Sequence, residues 1–342
     1  MNSQRIDELT FEDVFNFENL FKGYRSCRKG VNWKTSTKNY GLYSIENLAK
    51  TFNQLHSNKY KTIPYINRRR TDRGKQRNIQ EVHFKDRVVH KAYCDNFLVP
   101  LLAKRLIYDN GACMKGKGGV FCENRLKAHL QKYYRKNHFS NTGYVLTFDF
   151  SKYFESINHE ILFTQIRKVV KDDKLFELYK YIVNCFGGDK GLGLGSQISQ
   201  VSALYFTNRL DHYIKEKLKV KFYGRYMDDG YLISDSKEFL ISCRDEIIKI
   251  AEELKLTINI KKTKLWKLEK GFMFLKRHWY LTEKGFVKLK PTHDSIAKTR
   301  RKYRKVVKLK GADSDAVKRL KCSIHGHLKK FNNRRLEDYV YN

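Results

Sequence analysis

A pair of adjacent aspartates, Asp228 and Asp229, stands at the centre of an otherwise β-forming stretch, and it limits what this chain can fold into more than any other feature. Lys221-Phe222-Tyr223-Gly224-Arg225-Tyr226-Met227 leads into the pair, and Gly230-Tyr231-Leu232-Ile233 follows it. Aromatic and β-branched runs around a short polar centre predict a β-hairpin. Two carboxylates at its tip repel each other, and Arg225 is the one basic residue beside them. A divalent cation would relieve that repulsion, because hard cations take oxygen ligands. A solvated turn is the alternative, since Asp is a common turn residue. Tyr144 to Phe150 reads as a second apolar strand that ends in Asp149. Asp149 fits a cap or turn, but a carboxylate buried without a partner is costly. A metal shared with Asp228 would supply that partner.

Charge narrows the function. The chain has 342 residues and a formal net charge of +34, which predicts a polyanionic partner, either nucleic acid or an anionic membrane. With 22 Phe and 22 Tyr it can build a large core, split into two or three lobes. No apolar run approaches the roughly 18 residues of a transmembrane helix. The start, Met1 to Glu8, lacks the plan of a signal peptide. Seven scattered cysteines, none in a Cys-x-x-Cys pair, read as core fillers in a reducing cytoplasm.

Taken in order, residues 1–58 form a helical extension, with Phe11, Val14, Phe15, Phe17, Leu20 and Phe21 at near-helical spacing. Residues 59–91 are strongly basic and include Arg68, Arg69, Arg70, Arg73, Lys75 and Arg77. Lys61–Ile66 and Asn78–Gln80 read as strands, with Thr71 to Lys75 as the turn between them. Such a cationic hairpin suits phosphates, and a solvated loop is the alternative. Helices are expected over 84–136, around a loop whose glycines, with Lys115 and Lys117, would let amides approach a phosphate chain. A helix begins near Asn158. The glycine-rich run at 187–200 enters a helix expected from Val201 to about Lys219, and can offer amides to an anion or base pair. A helix over 236–256, a strand at Leu256–Ile260 and a hairpin through Phe272 and Phe274 follow. Beyond Pro291 the chain is basic and helical, with Arg300 and Arg301 in its first stretch.

A strand-end acid, a hairpin-tip acid pair, a glycine-rich helix entry and a cationic hairpin fit two-metal phosphoryl transfer with Mg2+. Basic side chains would neutralise charge developing on a triphosphate.

In this order and spacing, residues 60–290 resemble the reverse transcriptase family. Tyr226-Met227-Asp228-Asp229 is similar to the family's palm motif, and Thr147-Phe148-Asp149-Phe150 to the motif that supplies its other catalytic acid. The resemblance implies an α+β right-hand polymerase: fingers and palm, an antiparallel sheet packed on helices, over 59–290, and a short helical thumb over 291–342. It implies that Asp149, Asp228 and Asp229 are catalytic and hold two Mg2+ ions, with the Phe150 carbonyl as a further ligand. It places Phe154 at the steric gate against a 2′-hydroxyl, Arg77 on the triphosphate and Lys262 near the pyrophosphate. Gly271 to Leu275 resembles the primer grip, with Lys276 where many relatives have Gly.

The run Leu194-Gly195-Ser196-Gln197-Ile198-Ser199-Gln200 departs from the usual Gln-Gly-x-x-x-Ser-Pro. Leu194 removes a hydrogen-bonding side chain beside the nascent pair, and Gln200 replaces a helix-opening Pro. This form resembles reverse transcriptases of diversity-generating retroelements and of antiphage defence, and implies reduced fidelity. Expected partners are template RNA, cDNA and dNTPs, with a structured non-coding RNA, an accessory protein or self-association left open, and no membrane. Two other functions stay open. One is a non-catalytic, maturase-like RNA-binding protein, disfavoured by the three acids and by the short segment after residue 290. The other is a template-independent or protein-primed polymerase using the same site.

Overall fold

The computed structural model describes residues 5–72, 75–331 and 335–342, with the backbone alone at Asp72 and Lys75. The turn residues Arg73 and Gly74 and the side chain of Lys75 lie outside the described residues.

Nine strands are described, in three antiparallel sheets. Strands β1 (Ile66–Asp72) and β2 (Lys75–Glu81) form a two-stranded ribbon. The central sheet holds β3 (Tyr144–Asp149), β4 (Phe222–Tyr226), β5 (Asp229–Ser234) and β6 (Lys264–Lys267), in the order β4-β5-β3-β6. A third sheet runs β7 (Phe272–Phe274), β8 (Arg277–Leu281) and β9 (Val287–Pro291).

The central sheet is organised by the acid hairpin. Tyr226 pairs with Asp229, so Met227 and Asp228 alone make the turn, and Asp149 lies opposite Asp229 on the neighbouring strand. Phe148 and Leu232 are buried against the main core, while Val145, Tyr231 and Ile233 face a second cluster with Phe272, Phe274 and Trp279. Burial on both faces explains why β3 is a continuous apolar run rather than an alternating one.

Helices surround this sheet. Phe17–Arg28 and Ser44–His56 pack through Leu20, Tyr24 and Leu48 onto the main core. Thr10 and Asn16 each cap a helix, so the periodic phenylalanines divide between Phe11–Val14 and Phe17–Arg28. Phe15, between these two helices, stacks on Tyr93 at 5.6 Å. From His293 onward three helices, His293–Lys310, Asp315–Leu328 and Arg335–Tyr341, close around Tyr303, Val317, Leu328 and Val340. Among the described residues no helix is long and apolar enough to cross a membrane.

Three expected elements differ. The strand expected at Lys61–Ile66 begins only at Ile66. Upstream backbone is held by side chains instead: the Ile63 amide donates to Asp86 (2.9 Å) and the Thr62 amide to the Tyr181 hydroxyl (3.0 Å). The strand expected at Leu256–Ile260 is reduced to a bridge between Phe150 and Ile258, because the Lys262 and Thr263 amides donate to the Asn259 carbonyl and turn the chain. The helix expected from Val201 to about Lys219 opens at Gln197 and breaks at Thr207, with a second helix over Asn208–His212. Gln200 therefore lies one turn inside the first, and its amide donates to Ser196 (3.2 Å), a bond proline cannot make. At Leu275-Lys276 both residues are left-handed (φ 50° and 60°), so the β7–β8 hairpin turns tightly without glycine.

Candidate active site

Asp149, Asp228 and Asp229 converge. One carboxylate oxygen from each lies within 4.8 Å of the others. Strand pairing does this: β3 delivers Asp149 opposite Asp229, and the two-residue turn delivers Asp228 beside it. Asp149 is buried, at 4% exposure, and the hairpin pair is half-buried. Burial and the neighbouring carboxylates hold both hairpin acids above the ordinary range, Asp229 up to about 7. The Lys262 ammonium reaches the Asp149 carboxylate. One ammonium among three carboxylates leaves net negative charge in a partly desolvated site. Clustered hard oxygen donors with excess negative charge fit divalent cations.

The bridge beside Asp149 is made by the Asn259 amide donating to the Asp149 carbonyl (2.7 Å) and the Ser151 amide donating to Thr257 (2.8 Å). The Phe150 carbonyl is not used by that bridge.

Around the acids, the glycine-rich loop is tied to the segment after β3. The Leu192 amide donates to the Phe154 carbonyl (2.8 Å) and the Gly191 amide to Ile157 (2.7 Å). Phe154 is half-buried, edge-on to Tyr153. Leu194 is half-buried, and Gly195 is exposed with φ +111°. A side chain at Gly195 would meet Ile79 and Gln80 of β2 at 3.5–3.7 Å. The base of the cationic ribbon thus abuts the glycine loop, and that loop abuts Phe154.

The other expected cations separate into groups. Arg68, Arg69, Arg70 and Arg77 are exposed on the ribbon, with Arg70 directly opposite Arg77 and Arg68 paired to Glu81 (2.5 Å). Lys115 is exposed, whereas Lys117 closes its own loop by donating to the carbonyls of Tyr108 (2.7 Å) and Asn110 (2.9 Å). Arg301 is exposed, and Arg300 lies over the Tyr339 ring at 4.3 Å.

Arg225, noted in the sequence only as a neighbour of the acid pair, supports the hairpin together with residues to which a reading of the sequence assigns no role. Arg225 is fully buried and clasps Asp211, also fully buried, through Nε (2.7 Å) and Nη2 (2.6 Å). The Tyr223 hydroxyl donates to the same carboxylate (2.5 Å). Nearby, Asp109 accepts from Arg125 (2.7 Å) and Lys215 (3.1 Å). Burial pushes its carboxyl up, but these cations and the adjacent His129 outweigh it and hold it below the ordinary range. The one available signal was a charged residue, Arg225, inside an apolar strand.

With this geometry in place, comparison defines the class. Residues 68–278, more than half of the chain, match the reverse transcriptase (RNA-dependent DNA polymerase) family, and the chain belongs to that family. Its antiparallel-sheet and helix architecture is that of the right-hand polymerase fold seen in telomerase structures. Apo telomerase from Candida tropicalis, truncated of its C-terminal domain, aligns with a TM-score of 0.51 at 13% identity, covering 72% of this chain and 60% of that one. Telomerase from Candida albicans, solved in complex with the TWJ fragment of telomeric RNA, aligns with a TM-score of 0.52 at 10% identity, over 75% and 52%. The Candida tropicalis telomerase complex with that fragment gives 0.52 at 14% identity, over 84% and 57%. The chain therefore spans little more than half the length of these telomerases, and at these identities the likeness is one of fold. No curated protein sequence matches the chain.

Proposed function

We propose that this protein is an RNA-directed DNA polymerase that copies an RNA template into cDNA from dNTPs. The convergence of Asp149, Asp228 and Asp229 in a family of RNA-dependent DNA polymerases carries this reading. Those carboxylates, with the Phe150 carbonyl, would hold two Mg2+ ions. The chemistry such cations would supply is activation of a primer 3′-hydroxyl and neutralisation of charge on the leaving pyrophosphate. The remaining roles belong to the chain itself. Lys262, within reach of Asp149, supplies a positive charge at the edge of the acid cluster. Phe154, anchored through its carbonyl to the glycine loop, forms the wall against which a 2′-hydroxyl would collide. Gly195 lets the template–substrate pair approach the backbone, with Leu194 and Gln200 beside it. On the ribbon, Arg70 lies directly opposite Arg77 and both are exposed, with Arg68 and Arg69 on the same strand as Arg70. In this reading that basic strand pair lies along a triphosphate or a template backbone. Lys115 and Arg301 extend the cationic track, whereas Lys117 and Arg300 act mainly on their own loop and helix. In this reading residues 59–290 are fingers and palm, 291–342 the thumb, and 1–58 an extension.

The Leu194 and Gln200 departures favour a low-fidelity enzyme of a diversity-generating retroelement or an antiviral system. Within that setting a structured RNA or an accessory protein is the expected companion.

The test is primer extension on a defined RNA template. Magnesium-dependent dNTP incorporation by the intact protein is expected, with Asp228→Ala lowering it about a hundred- to a thousandfold or more while RNA binding persists. Undiminished synthesis by Asp228→Ala would refute the assignment.

A further inference from the structure

The acid hairpin turns on a residue that resists the conformation it adopts. Met227 is left-handed, with φ +54°, although it is neither glycine nor asparagine. Such a conformation persists only where the surroundings over-determine it. The contact that does so comes from two residues upstream. Arg225 Nη1 donates to the Met227 carbonyl at 2.7 Å, and its Nη2 also donates to the Leu204 carbonyl at 3.0 Å. The guanidinium is itself fixed by both oxygens of Asp211, which in turn accepts from Tyr223 (2.5 Å) and Asn110 (3.4 Å).

Backbone pairing grips the same strand from its open edge. The Arg225 amide donates to the Asp109 carbonyl (3.2 Å), and the Gly111 amide donates to the Arg225 carbonyl (2.9 Å). Arg225 is therefore held by both main chain and side chain, and it has one arm left for the turn.

We infer that Arg225 and Asp211 are positioning residues that set the Met227–Asp228 turn, and through it the geometry with which Asp228 and Asp229 meet a divalent cation. This inference rests on the polymerase reading for its chemistry, though not for its geometry. A buried ion pair is weak evidence for stability, since apolar residues of similar volume often replace one without loss. What apolar residues cannot replace is the planar fork, which binds a carboxylate with two nitrogens while a third bonds a carbonyl. Lysine offers no such fork. The pair therefore serves specificity of geometry at the turn, and Asp211 acts by aiming the guanidinium.

The test uses the full chain and two variants, read by Mn2+ binding to the metal-free protein in electron paramagnetic resonance titrations. The double substitution Arg225→Met with Asp211→Leu removes both charges together and leaves the turn without its donor. Its Mn2+ affinity is expected to fall about tenfold or more, as for residues that orient metal ligands. Arg225→Lys keeps the charge opposite Asp211 and loses the fork, and the same direction of change is expected. In steady-state synthesis kcat should fall with KM for dNTP nearly unchanged. Wild-type Mn2+ affinity in either folded variant would overturn the inference, and Arg225→Lys decides alone if the double variant does not fold. If the intact protein binds Mn2+ through Asp228 but makes no cDNA, the polymerase reading fails while the positioning inference is still judged by affinity.

Discussion

Two acidic sites meet at one hairpin and are handled in opposite ways. The inner site, Asp211 with Asp109 close by, carries its own cations: Arg225 on the first, Arg125 and Lys215 on the second. The outer site sets three carboxylates, among the described residues, against the ammonium of Lys262. Accordingly Asp109 is held below the ordinary carboxylate range and Asp228 and Asp229 above it. A buried acid with permanent partners is structure. A cluster of acids left short of positive charge is compatible with a divalent cation. The strand order makes both from one element, because β4 carries Arg225 to the inner site and its turn carries Asp228 to the outer one.

The largest expected difference lies in stability. Asp211→Ala leaves Arg225 buried and unpaired, which should cost about 3–5 kcal/mol in denaturant unfolding. A loss near zero would place Asp211 among ordinary surface acids and erase the contrast.

Removing an outer acid should do the reverse. Asp229 keeps its proton to higher pH in the folded protein than in the unfolded chain, since burial and the neighbouring carboxylates push its carboxyl up to about 7. Its contribution to stability is therefore fully present below the ordinary carboxylate pKa and is lost as pH rises through about 7. Metal-free protein should melt at lower temperature at pH 8 than at pH 5.5, and Asp229→Asn should flatten that decline. Added Mg2+ should raise the melting temperature of the intact protein most at the alkaline end. A pH profile unchanged by Asp229→Asn would show that the outer site does not carry the charge excess attributed to it.

A smaller effect is expected at the rim of the outer site. Phe154→Ala should narrow discrimination between dNTPs and rNTPs by about tenfold or more, measured as a ratio of kcat/KM values, without altering stability at the inner site. Unchanged sugar selectivity would remove Phe154 from the gate.

These contrasts also explain what could be read from the chain. The outer acids were legible because their neighbours are local: Asp228 and Asp229 interrupt a β-forming run, and Asp149 ends an apolar strand. The inner partners were not, since Asp109 and Arg125 come from a loop and a helix that show no charge pattern until the chain is folded. Strand β1 was misplaced for a related reason. It lies in an exposed two-stranded ribbon, so its arginines carry no alternation of buried and solvent-facing residues. Leu256–Ile260 has the apolar and β-branched residues of a strand, but Asn259 accepts the amides of Lys262 and Thr263 and turns the chain instead. The opening at Gln197 was hidden because Ser, Gln and Ser in a first helical turn look like the end of a loop.

The most direct test of the contrast between the two sites is Mn2+ titration of the metal-free protein beside Asp149→Asn, Asp228→Asn and Asp109→Asn. Loss of affinity by about tenfold or more is expected in the first two variants, with the third, once shown to be folded, binding as the intact protein does. Equal Mn2+ affinity in Asp228→Asn and the intact protein would contradict the assignment of the outer carboxylates as the cation site.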